Sequence, residues 1–163
     1  MDKRLARIEV FVIITMIFSL LSIFLHLASF SGSNENIEKE KISKEMPPDI
    51  NTDSLNKIIN EIKIDWNSSD WNKLHDIFGE YAKAQIRIKD IEQEFPKLKS
   101  ATGNIMSTAY SHYEYRGFEE DADWFSFYFK CMFDNGKGTI KLSTRTVNEK
   151  TELTGININL DEI

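Results

Sequence analysis

The chain has 163 residues, 41% of them hydrophobic and 28% charged, and a formal net charge of −6. Residues 1–30 carry +1 (Lys3, Arg4 and Arg7 against Asp2 and Glu9), so the remainder carries −7. An acidic chain is a poor fit for nucleic acid, whose affinity rests on phosphate neutralisation, and it offers no polybasic patch for anionic lipid. The lone Cys131 excludes an internal disulfide, and with only His75 and His112 beyond residue 30 it is too little for a closed zinc site.

Val10 to Phe30, VFVIITMIFSLLSIFLHLASF, is uncharged. As a helix its roughly 21 residues span about 30 Å, the thickness of a bilayer hydrocarbon core, so it is expected to be a single transmembrane anchor. Its hydroxyls can bond back to helix carbonyls, and His26 near the far end is read as a neutral interfacial residue. Lys3, Arg4 and Arg7 equal Lys39, Lys41 and Lys44 of the far flank in number but lie closer to the apolar run, so residues 1–9 are expected in the cytoplasm and residues 31–163 outside. The apolar run exceeds the usual length of a signal-peptide core, which favours a retained signal anchor over cleavage near Ser31-Gly32-Ser33. Either reading delivers the following domain to the periplasm or cell exterior.

From Ser31 to Asp49 only Ile37, Ile42 and Met46 are large and apolar. Such a segment buries too little surface to offset its ordering entropy and is expected to be a flexible tether ended by Pro47-Pro48. Residues 50–163 then form an extracytoplasmic domain large enough for one core. Leu55, Ile58, Ile59 and Ile62 lie on one helical stripe, with Asn51 or Thr52 as N-cap. Trp71, Leu74, Ile77 and Phe78 make a second short stripe that Gly79 can end. Tyr81 to Ile88 is ambiguous between a helix and an extended connector. Asp90 is the expected cap of a third helix bearing Ile91, Phe95 and Leu98, which Pro96 must kink or restart; Gly103 closes it.

Beyond Asn104 the period becomes two. Ile105 to Arg116 reads as a tyrosine-rich strand, and Trp124 to Phe133 as a second with Phe125, Phe127, Phe129, Cys131 and Phe133 on its core face. Asp134 to Gly138 supplies a hairpin turn, and Thr139 to Val147 pairs back with Ile140, Leu142, Thr144 and Thr146 inward. In TELTGININL the apolar parity changes across Gly155, which predicts a bulge there. The expected class is α+β, helices packed on a curved antiparallel four-stranded sheet.

The order of "SSDWNKLHDIF", "KDIEQEFPKLKSATG" and "FSFYFKCMFDNGKGTIKLSTRTVNEKTELTGININL" resembles the cystatin-like and nuclear-transport-factor-like group, in particular its small extracytoplasmic bacterial domains of unassigned function. The resemblance implies a curved sheet wrapped around a helix. It implies no activity, because the group hosts many. Its enzymes are known for a tyrosine and aspartates inside the cone between sheet and helix, whereas the clearest inward positions here are phenylalanines and Cys131; Tyr110 and Tyr113 remain as sources of a phenol.

No catalytic, cofactor or metal-binding motif stands out. Cys131 with His112 would be a nucleophile and base, but a thiol between phenylalanines is desolvated and inert. His75 and Asp76 are neighbours on a helix and point apart. Glu119, Glu120, Asp121 and Asp123 lack the glycine and terminal glutamate of a calcium loop and read as a solvated turn. Trp124, Tyr128, Lys130 and Met132 lie beside Lys141 and Arg145 on the outer sheet face, a composition that interface hot spots favour; an ordinary solvated sheet face would look similar. The leading expectation is a membrane-anchored, non-catalytic protein-binding module of toxin-immunity or envelope-accessory type, its acidic head suited to a basic partner. The rivals are a small-ligand or enzymatic domain using the cone, and a self-associating component.

Overall fold

The computed structural model describes residues 44–161. Val10–Phe30 lies outside them, and among the described residues no helix is long and apolar enough to cross a membrane. The described chain forms four helices, α1 (Thr52–Ser68), α2 (Trp71–Asp76), α3 (Glu80–Lys83) and α4 (Ile88–Thr102). Four strands follow, β1 (Ile105–Glu119), β2 (Ala122–Phe133), β3 (Gly136–Val147) and β4 (Lys150–Leu160). They pair in chain order as one antiparallel meander, so the domain is α+β as expected.

Three of the four helix starts are closed by a side-chain contact. Asn51 is extended, its side chain accepts the Ser54 N–H, and Ser54 Oγ accepts the Asn51 N–H, both at 2.9 Å, a reciprocal capping box. Leu55, Ile59, Ile62 and Trp66 then face the core, and Ser69 ends the helix at φ 59°. Asp70 caps α2 by accepting the Lys73 N–H at 3.1 Å. The ambiguous stretch after Gly79 is the short α3 followed by a loop.

Asp90 does not cap α4. The cap is Arg87, and Asp90 sits in the first turn, accepting the Arg87 backbone N–H at 3.3 Å and its guanidinium at 2.7 and 2.9 Å. Starting three residues earlier brings Ile88 into one stripe with Ile91, Phe95 and Leu98, all packed on the core. Pro96 lies inside α4 rather than at a restart. It and Glu92, whose carbonyl loses the helical bond, are both exposed, so water can satisfy that group.

The alternation of β2 decides which face is core. Phe125, Phe127, Phe129, Cys131 and Phe133 are all at most 4% exposed, joined by Ile140, Leu142, Leu153 and Ile158 and covered by the apolar face of α1. The parity change in β4 is a bulge one residue before the expected glycine. Ser143 pairs with Gly155 and Thr144 with Leu153, which leaves Thr154 unpaired and lets Leu153 and Ile156 share a face.

Residues 44–49, read from the sequence as the end of the tether, pack on the domain. Pro47 is buried and Met46 lies on the core. Asp49 accepts the Thr151 N–H at 2.6 Å and its hydroxyl at 2.7 Å. Tyr113 donates its hydroxyl to the Lys44 carbonyl at 3.2 Å, while Lys44 Nζ pairs with Asp123.

Candidate functional site

The outer face of the sheet is built by β2 and β3 in strict register. Trp124 lies opposite Arg145, Tyr128 opposite Lys141, Lys130 opposite Thr139 and Met132 opposite Lys137. On the flanks, His112 of β1 faces Tyr128, and Glu152 and Asn157 of β4 face Arg145 and Lys141. The six residues picked out by sequence, Trp124, Tyr128, Lys130, Met132, Lys141 and Arg145, therefore do share one face. They do not share one environment.

At the end nearest the β1–β2 turn, α3 lays Tyr81 over the sheet. Its ring meets Trp124 edge to face at 5.6 Å, and the Arg145 guanidinium sits 4.2 Å from its centroid. The Tyr81 hydroxyl donates to Glu120 at 3.1 Å, and Trp124 Nε1 donates to the Glu119 carbonyl at 3.0 Å. Arg145 Nε is 3.5 Å from Glu152 Oε1, an ion pair without hydrogen-bond geometry. The strongest hot-spot residue types on this face are thus held by the domain's own contacts.

Among the described residues nothing lies over the other end. His112 and Tyr128 stack with ring centroids 4.5 Å apart and planes within 5°. Tyr128 donates its hydroxyl to Glu114 at 2.9 Å, and Glu114 pairs with Arg116 at 3.1 Å. That hydroxyl, with Arg116, holds the Glu114 carboxyl below the usual range, while burial and the carboxylate push the Tyr128 phenol up, so it remains a proton donor. Beyond the stack Lys130, Met132 and Lys137 are exposed and Lys141 is half-buried. Lys130, Lys137 and Lys141 have no ion-pair partner among the described residues.

Sequence reasoning missed His112 and Lys137 as members of this patch. From sequence, His112 stands out only beside Cys131, and Lys137 only as part of the hairpin turn. The missing signal was register: a tight turn at Asp134-Asn135 sets Lys137 opposite Met132.

Other candidate chemistries are separated by the fold. His112 pairs with Tyr128 on the outer face while Cys131 is buried among phenylalanines on the inner one, where burial pushes its thiol up to about 11. His75 Nε2 lies 2.9 Å from the Ile86 carbonyl oxygen, a loop contact. Among the described residues no group of three or more His, Cys, Asp or Glu side chains is placed to hold a metal ion. Glu120 and Asp121 are the central pair of a tight turn, at φ 51° and 56°. Tyr110 packs edge-on against Phe129 at 5.7 Å, and burial raises its phenol. A cleft of about 340 Å³ beside Met46, Pro47, Phe125 and Thr146 contains Asp123, but that carboxylate is engaged by Lys44 and by the Tyr115 hydroxyl at 3.0 Å.

No family model and no curated protein matches the chain. A solved structure, Bdellovibrio bacteriovorus Bd1075, aligns with 68% of this chain at 13% identity and a TM-score of 0.39. The chain spans 40% of that protein's length. A likeness at that score carries no argument about function.

Proposed function

We propose that this chain is a membrane-anchored, non-catalytic protein-binding module that captures its partner through the open half of the outer sheet face, Tyr128, Lys130, Met132 and Lys141, with Trp124 and Arg145 as internal support. In this reading Val10–Phe30 spans the cytoplasmic membrane once with the N-terminus inside, and the domain stands in the periplasm or cell exterior. The observation that carries it is a patch that no other described residue covers, with stacked aromatics, a 43%-exposed methionine and lysines without an ion-pair partner among the described residues, on an otherwise acidic chain. A toxin-neutralising immunity protein or an accessory subunit of an envelope complex would suit such a surface. The helix-then-meander order is in keeping with a cystatin-like or nuclear-transport-factor-like domain. The net acidity of the whole head favours the approach of a basic partner, whereas the patch itself complements acidic groups at contact. A ligand or enzymatic role for the cone has weaker support, since its inward positions on β2 are phenylalanines and a cysteine.

The test is affinity capture by the full chain from gently solubilised membranes. A partner retained by the parent, lost by a folded Tyr128→Ala/Lys130→Ala/Lys141→Ala variant and retained by Lys57→Ala/Lys89→Ala supports the reading. Equal retention by both variants contradicts it. A reporter fused after Ile163 is expected to be active only outside the cytoplasm.

A further inference from the structure

The three lysines of this half, without an ion-pair partner among the described residues, are not scattered. Successive outward rungs of the β2–β3 ladder are Tyr128 with Lys141, Lys130 with Thr139, and Met132 with Lys137. Each rung carries one lysine, and rungs on the same face lie about 6.7 Å apart. Lys141 and Lys137 stand on β3 with Lys130 between them on β2, so the charges zigzag along the strand direction over about 13 Å. On β2 and β3 each is flanked by an uncharged side chain on its own rung; next to Lys137 the chain after β4 brings Asp161, whose N–H donates to the Lys137 carbonyl at 2.9 Å, so Lys141 and Lys130 are the rungs with no acidic neighbour across the strands.

A partner strand has the same repeat. In an extended chain alternate side chains point the same way and recur every two residues, again about 6.7 Å apart. Resting on the protein-binding reading above, we infer that the partner presents an extended acidic segment with carboxylates at alternate positions, laid along β2 and β3 so that each carboxylate meets one lysine rung. The Tyr128–His112 stack ends the track on one side, where Glu114 is already taken by the Tyr128 hydroxyl and Arg116. The same charges argue against a symmetric dimer through this face, which would set lysines against lysines around the two-fold axis.

The probe is a fluorescent peptide alternating glutamate with threonine, titrated by anisotropy against the full chain in detergent micelles. A second peptide of identical composition has its glutamates consecutive. Lys130→Glu/Lys141→Glu tests the track, Lys130→Gln/Lys141→Gln repeats it without reversing charge, and Lys57→Glu/Lys89→Glu, at exposed helix positions, matches the net-charge change elsewhere. The alternating peptide is expected to bind about tenfold more tightly than the consecutive one and to lose about tenfold in the track variants, binding the helix variant like the parent and weakening with salt. Equal binding of the two peptides, equal loss in the helix variant, competition by polyphosphate as strong as by the peptide, or no binding at all each overturns the inference. A membrane partner lost on Tyr128→Ala but indifferent to Lys130→Glu/Lys141→Glu removes the acidic track while leaving the protein-binding reading intact. Failure of capture by the parent itself removes that reading instead.

Discussion

Cys131 lies between Phe129 and Phe133 on the inner sheet face, 4% exposed, with its thiol pushed up to about 11 by burial. At neutral pH it is almost wholly protonated and nearly closed off from solvent, so it should behave as a small hydrophobic residue. Thiol-reagent labelling of the native chain is expected to be slower than that of the denatured chain by orders of magnitude, and rapid native labelling would restore the nucleophile reading. Glu114 is the contrasting case. Its carboxyl is held low chiefly by the Tyr128 hydroxyl, then by Arg116, so it contributes stability above its unfolded pKa and loses that contribution as pH falls through its lower folded value. Tyr128→Phe should therefore flatten the acid limb of stability, by under about 1 kcal/mol for a carboxylate whose side chain is 33% exposed, as read by urea unfolding at neutral pH and near pH 3. The inert cysteine could be read from the sequence, because strict alternation places it among phenylalanines. The Tyr128–Glu114 bond could not, since it depends on a shift in the β1–β2 register between Tyr110 and His112.

At the scale of elements, the helices and strands were legible where one periodicity dominates. The stripe of α1 and the alternation of β2 each bury one face, which leaves little freedom in how they fold. The α4 start was missed because Asp90 is a good cap in isolation, but the core contact of Ile88 and the paired Arg87–Asp90 interaction place it inside the helix. The turns carry unrelieved cost. Asn148 and Glu149 join β3 to β4 with φ of 49° and 63°, the left-handed region that Asn tolerates and Glu does not. Glu149→Gly would supply the Asn-Gly pair this turn geometry favours, and is expected to raise stability by about 1 kcal/mol and the melting temperature by a few degrees in thermal unfolding.

For the molecule as a whole, the arrangement separates what is committed from what is free. The long edge strand β1 is guarded at its start, where Asn67 pairs with the Ile105 N–H at 2.8 Å and carbonyl at 3.0 Å and Lys63 donates to the Met106 carbonyl at 2.7 Å. Three register shifts bend it further along, a form of protection against edge pairing. The outer face near the β1–β2 turn is taken by Tyr81, leaving the Tyr128–Lys137 half open. Sequence alone identified that face but not its division, because nothing in the ambiguous stretch after Gly79 announces that Tyr81 reaches across Trp124 and Arg145. The most direct measurement is photo-crosslinking in living cells from a reactive amino acid placed at Lys130, with the same group at Asn60 on the exposed side of α1 as comparison. The account predicts a discrete protein adduct from position 130 and none from position 60. No adduct from position 130, or the same adduct from both positions, would contradict it.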